Sequence, residues 1–127
     1  LIEDDESLRF TIKEILEKQN VQIMEAENGK VGMNILKNEE IKPDLILLDL
    51  MMPVMNGFEF LKAIRETELN SIPILVLTGA ELSEDEKKFL SGETQRILEK
   101  SEDTMSTIVN EVSNVIKASS FKNGDNK

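Results

Sequence analysis

The stretch Pro43-Asp-Leu-Ile-Leu-Leu-Asp49-Leu-Met-Met-Pro53-Val-Met-Asn-Gly57 decides how the rest of the chain is read. Leu45 to Leu48 is an unbroken apolar run, too short for a helix. Bounded by Pro43 on one side and a Pro-Gly loop on the other, it suits a strand buried on both faces. Asp49 stands where that strand ends. In an open parallel sheet, ligands bind outside the carboxyl ends of the strands. The stretch therefore presents one carboxylate at the mouth of a buried strand. Pro53 and Gly57 shape the loop beyond it, and Gly57 can open the next helix.

Outward from this strand, the same unit repeats. Leu1-Ile2 reads as the end of a first strand cut short at the start, because a strand usually needs about five residues. Glu3-Asp4-Asp5-Glu6 follows, and Asp5 or Ser7 can cap a helix carrying Leu8, Ile12, Ile15 and Leu16 at helical spacing. Asn20 ends that helix, and Val21 to Ala26 reads as a second strand. Asn28 caps a second helix running to about Lys37, and Asp44 to Leu48 is the third strand. A third helix spans about Gly57 to Thr67, with Phe58, Leu61 and Ile64 or Arg65 along one side. Ile74 to Leu77 is a fourth strand with Thr78 at its end. Ser83-Glu84-Asp85-Glu86 is a capping box that starts a short fourth helix. Gln95 to Glu99 is a fifth strand with Lys100 at its end. Met105, Ile108, Val109, Val112, Val115 and Ile116 form the cleanest helical stripe. From Ala118 the sequence turns polar, so residues 119–127 read as a flexible tail on a domain of residues 1–118.

Five β-α units with short connections imply an α/β fold with a parallel sheet covered by helices on both faces. Right-handed crossovers then give a doubly wound, flavodoxin-like (βα)5 domain with strand order 2-1-3-4-5.

Composition narrows the chemistry. The 127 residues fit one domain. With 15 basic and 25 acidic residues the net charge is −10, which disfavours nucleic acid or an anionic membrane as partner. Absent Cys excludes a thiol nucleophile, and absent His excludes the serine-protease type of triad and the common zinc sites. No apolar run approaches the length of a membrane span, and no signal peptide is visible. No GxxxxGK[ST] or GxGxxG occurs. A haloacid-dehalogenase-type phosphatase needs a second Asp two residues after its nucleophile, where this chain has Met51.

The topology gathers Glu3-Asp4, Asp49, Thr78 and Lys100 at one edge. Close carboxylates repel and call for a divalent cation, and hard oxygen ligands suit Mg²⁺. One Lys offsets charge, and a hydroxyl can donate to an oxyanion. Such a set can handle a phosphoryl group, with a carboxylate accepting it.

Glu3-Asp4 after Leu1-Ile2, Asp49-Leu-Met-Met-Pro53-Val-Met-Asn-Gly57, Leu77-Thr78-Gly79 and Lys100 together resemble the receiver domain of two-component response regulators. The resemblance covers residues 1 to about 118. It implies that Asp49 accepts a phosphoryl group from a phosphohistidine of a histidine kinase or histidine phosphotransfer domain. It implies Mg²⁺ held by Asp4, Asp49 and the Met51 backbone carbonyl, with Glu3 acting through water. Lys100 would pair with Asp49 and then with a phosphoryl oxygen. Thr78 would hydrogen-bond the phosphoryl group. Pro53 and Gly57 would be structural. The domain would catalyse its own phosphorylation and slow hydrolysis in the cytoplasm. The alternative is a receiver-like interaction module that is never phosphorylated.

Three positions depart from the family pattern. Ser101 replaces the usual Pro after the Lys, which sits in a cis bond. Ile97 replaces a Tyr or Phe whose ring swings on activation. Gly92-Glu93-Thr94 replaces a Gly-Ala turn. All lie on the face that many regulators use for dimerisation or output. The expectation is a monomer that takes and passes on phosphate, as in a hybrid sensor kinase.

Overall fold

The structure is a computed structural model that describes residues 1–38, 40, 42–79, 81–100 and 104–125. Its elements run α1 (Glu6–Glu17), α2 (Gly29–Leu36), β1 (Ile46–Asp49), α3 (Gly57–Arg65), β2 (Ile74–Thr78), α4 (Glu84–Glu93), β3 (Arg96–Glu99) and α5 (Thr104–Asp125). The strands β1, β2 and β3 form a parallel sheet in that order. Beyond β1, Ile2 makes parallel bridges to Leu48 on one side and Ala26 on the other. The spatial sequence Ala26, Ile2, β1, β2, β3 is the expected 2-1-3-4-5 order. The first two strands are each reduced to one bridged residue, where the sequence predicts a strand over Val21 to Ala26, because only Ala26 in that segment pairs with the short Leu1-Ile2 end as a bridge. Hydrogen bonds from Ile2 N to Leu47 O (2.8 Å) and from Asp49 N to Ile2 O (2.9 Å) lock this short rung in register.

Strand residues alternate between two cores, as a sheet buried on both faces requires. Leu48, Val76 and Ile46 face α2, α3 and α4, joining Met33, Leu36, Phe60, Leu61, Ile64 and Leu90. Leu47, Leu75, Leu77 and Leu98 face the other way, against Ile12 and Leu16 of α1 and Ile108 and Val112 of α5. Each fully buried Leu or Phe contributes about 2 kcal/mol of transfer free energy, so these two layers supply most of the stability.

Local signals fix the helix starts. The Asp5 carboxylate caps α1 by accepting from Leu8 N (3.1 Å), and the Asn28 side chain caps α2 by accepting from Val31 N (3.0 Å). Reciprocal capping boxes open α3 (Asn56 with Glu59) and α4 (Ser83 with Glu86). Helix α3 buries Gly57, Phe60, Leu61 and Ile64, a 3-4-7 spacing that displaces Phe58 and Arg65 to its flank. There Phe58 lies 6.4 Å from the Phe89 ring, and the Arg65 guanidinium sits 5.5 Å from the same ring while pairing with Glu93 of α4.

Helix α5 continues to Asp125, past the point where the composition suggests a tail. No Pro occurs after Pro73, so nothing there stops helical backbone. The bond between Lys100 and Ser101 lies outside the described residues. Among those residues, only Asn20 (φ 61°) and Val54 (φ 69°) combine a side chain with positive φ. Asn accepts that region readily. For a β-branched Val it is a true outlier, costing on the order of 1 kcal/mol.

Candidate functional site

The carboxyl edge of the sheet collects the charged residues. Asp49 ends β1 opposite Leu77, Thr78 ends β2 opposite Glu99, and Lys100 follows directly. Lys100 N donates to Thr78 O (2.8 Å), so the ladder runs one rung past the strand end. Asp49 is only 2% exposed, and Glu3 and Thr78 are buried with it, whereas Asp4 is open to solvent.

The Lys100 ammonium lies 3.0 Å from Glu3 Oε1 and 3.4 Å from Asp49 Oδ1. It therefore bridges the two buried carboxyl groups. Carboxylate oxygens of Glu3, Asp4 and Asp49 all lie within 4.8 Å of one another. Met51 N donates to Asp49 Oδ1 (3.3 Å), and Asp5 N donates to Glu3 Oε2 (3.2 Å). Glu3 Oε1 is fully buried and accepts no hydrogen bond, with the Lys100 ammonium as its ion partner.

These surroundings perturb all three groups. Burial, then the neighbouring Asp49 carboxyl group, pushes Glu3 up to about 7, against the pull of Lys100 and the Asp5 N–H. Burial also raises Asp49; its hydrogen bond with Glu3, the Lys100 charge and the Met51 N–H oppose that rise without cancelling it. Burial alone would lower Lys100, but its two carboxyl partners more than offset this and hold it above the usual lysine value. A dense set of carboxylate oxygens, offset by a single ammonium, fits a hard divalent cation. Such an ion would offset the burial and the carboxyl neighbour that together raise Glu3.

The loop from Leu50 to Gly57 closes tightly on this edge. Gly57 N donates to Leu50 O (2.9 Å). A Cβ at Gly57 would lie 2.6 Å from Asp49 O and 2.7 Å from Leu50 Cα, both backbone atoms. Only glycine lets α3 start this close to the strand. Pro53 lies exposed in the loop, and Met51 points its side chain to solvent while its amide serves Asp49.

The family model for the response regulator receiver domain matches residues 1–113. The chain belongs to the receiver family. Receiver domains are the phosphoacceptor modules of two-component signalling, and this one carries that role. Among its relatives, the Escherichia coli K12 transcriptional regulatory protein CpxR is 37% identical over 82 residues, covering 65% of this chain and 34% of CpxR. The chain spans about a third of the length of such transcriptional regulators. The Mn²⁺-bound response regulator Rcp1 superposes with a TM-score of 0.75 at 26% identity, covering 86% of each chain. The phosphorylated cyanobacterial phytochrome response regulator RcpA gives 0.74 at 27%, covering 90% of this chain and 86% of its own. Receiver domains work with histidine kinases or phosphotransfer proteins. No helix among the described residues is long and apolar enough to cross a membrane.

One residue of this receiver escapes sequence reading. Arg9, on the second turn of α1, donates from Nη1 to Glu3 O (2.7 Å) while its Nε faces Glu25 Oε1 (3.4 Å). It ties the acidic segment to the helix behind it. The spacing of six residues from Glu3 is its only sequence signal, and that spacing matches no motif.

Proposed function

We propose that Asp49 is the phosphoacceptor and that the domain takes its phosphoryl group from a phosphohistidine of a histidine kinase or histidine phosphotransfer domain. The observation that carries this reading is the pairing of buried Asp49 with Lys100 inside the Glu3-Asp4-Asp49 cluster. An Asp49 carboxylate oxygen attacks phosphorus. The P–N bond breaks, its electron pair returns to the imidazole nitrogen, and that nitrogen takes up a proton.

Asp4, Asp49 and the Met51 carbonyl would hold Mg²⁺ directly, and Glu3 through water. When bound, the ion would supply positive charge to the transferring phosphoryl oxygens. The chain's own residues do the rest. Lys100 leaves Asp49 for a phosphoryl oxygen, which balances the added charge of nearly two units. The Thr78 hydroxyl donates to another. Burial of Asp49 excludes water from the reacting carboxylate and slows hydrolysis. The Mn²⁺ of Rcp1 and the phosphorylation of RcpA support the assignment by likeness. The same reading places the domain in the cytoplasm, as a monomer that passes phosphate on.

Intact-mass spectrometry after incubation with Mg²⁺ and acetyl phosphate tests this, beside Asp49→Asn. One added phosphoryl group in the parent and none in the variant is the expected result. A folded, Mg²⁺-saturated parent that neither gains mass nor binds beryllofluoride would instead be an unphosphorylated interaction module.

A further inference from the structure

The three carboxyl groups of the cluster are not held alike. Asp49 closes β1 and is paired in register with Leu77 of β2. Glu3 and Asp4 instead follow a first strand that is reduced to the single bridged residue Ile2. Glu3 N donates to Ala26 O (3.0 Å), and Asp5 is already the cap of α1. Between these two fixed points lies the Glu3–Asp4 peptide, which joins two of the three carboxyl-bearing residues. This planar unit is flanked by ψ of Glu3 and φ of Asp4, so its orientation and the aim of the two side chains are set together. Its carbonyl oxygen accepts from Arg9 Nη1 at 2.7 Å.

Arg9 is itself tied down. It stands on α1, its Nε faces Glu25 Oε1 (3.4 Å), and Lys13 Nζ holds the other oxygen of Glu25 (3.2 Å). Glu25 directly precedes Ala26, whose carbonyl takes the Glu3 amide. One guanidinium therefore spans α1, the Glu3 carbonyl and the segment that carries Ala26. Its planar fork of donors suits this two-ended contact in a way that an ammonium does not. The Arg9 side chain is only 18% exposed, which limits competition from water.

By charge alone, Arg9 works against a metal. A cation bonded to the backbone of a cluster residue repels a second cation placed among the carboxylates. By geometry it helps, because it keeps Glu3 and Asp4 turned toward Asp49. The two effects have opposite signs. We propose that Arg9 is a positioning residue for the divalent cation, holding the Glu3–Asp4 peptide so that both carboxylates converge with Asp49 within the observed 4.8 Å. This inference rests on the reading of the cluster as the cation site.

Mn²⁺ serves as the probe, with free ion counted by electron paramagnetic resonance and Mg²⁺ as competitor. The parent is compared with Arg9→Met, Arg9→Lys and Lys13→Met, each checked for folding by circular dichroism. Arg9→Met should weaken Mn²⁺ binding about tenfold, the scale for groups that orient a metal ligand. Arg9→Lys, which keeps the charge and one donor, should fall between that variant and the parent. Lys13→Met removes a neighbouring charge without touching the Glu3 carbonyl, and should bind as tightly as the parent or slightly more so. Unchanged or tighter binding in Arg9→Met would leave only charge at work and overturn the proposal, as would an equal loss in Lys13→Met. An Arg9→Met variant that loses stability in metal-free urea titration yet keeps the parent's affinity would also overturn it. Should Arg9→Met not fold, Arg9→Lys decides, with weaker binding supporting the role and parent affinity overturning it. A parent chain that binds neither ion overturns the cation reading, and this inference with it.

Discussion

The two ends of the parallel sheet are built on opposite principles. At the carboxyl end, buried Glu3, Asp49 and Thr78 crowd around one lysine, and a strained valine is held on the rim. At the amino end lies a groove of about 570 Å³, lined by Leu1, Val21, Ile23, Leu45, Val112 and Ile116 among others. Its polar lining residues, among them Gln19, Glu25, Lys42 and Asp44, sit beside this apolar wall, and none of them belongs to the Glu3-Asp4-Asp49 cluster. The carboxyl edge is small, charged and costly to fold. The difference teaches that buried, mutually perturbing charges mark the chemical end of this sheet, whereas an apolar-walled groove alone does not.

Removing the cation that bridges Glu3 and Asp49 should give the largest effect. Lys100→Met leaves two buried carboxyl groups uncompensated, and we expect a loss of about 3–4 kcal/mol at pH 8. Urea denaturation should show that loss shrinking toward pH 5, where Glu3 holds its proton. A loss independent of pH would break the contrast between a charged end and an apolar one.

Gly57→Ala should follow, at about 2–3 kcal/mol, since its Cβ would meet backbone rather than a side chain that can turn away. Phosphorylation by acetyl phosphate should also fall, because the clash displaces Asp49. Normal labelling in a destabilised variant would separate the loop's packing from its role in the site.

The pH profile of the parent chain comes next. Glu3 holds its proton to about pH 7 in the fold against 4.5 in the free side chain. Between these values the folded state binds more protons than the unfolded chain, so stability falls as pH rises. The raised Asp49 acts in the same direction. We expect a decline on the order of 2 kcal/mol from pH 5 to pH 8, measured by urea titration without divalent ions. Millimolar Mg²⁺ should flatten it, and a profile that rises with pH would contradict the cluster's electrostatics.

The smallest effect belongs to the amino end. Leu45 is half-buried beside the groove, so Leu45→Ala should cost only about 1 kcal/mol, against about 3–4 for fully buried Leu48→Ala three residues away. Similar costs would mean that the groove is as tightly packed as the core.

Much of this was legible in the residues themselves. The apolar run before Asp49, the Asn28 cap and the Ser83-Glu86 box are local signals, and local signals survive folding unchanged. Helix α3 was harder. Phe58 and Phe60 are two residues apart, and only contact with the sheet decides which enters the core. The reduction of the first two strands to single bridges depends on pairing across distant segments. Arg9 contributes through a carbonyl six residues away, a contact that no residue pattern announces. Val54 is the clearest failure, since branching at Cβ argues against the backbone it adopts.

The hydrogen bond from Lys100 N to Thr78 O has a mechanical consequence. The ammonium and the hydroxyl hang from one rigid rung, so they are not independent levers. A substitution that shifts the backbone at either residue should therefore disturb both side chains together.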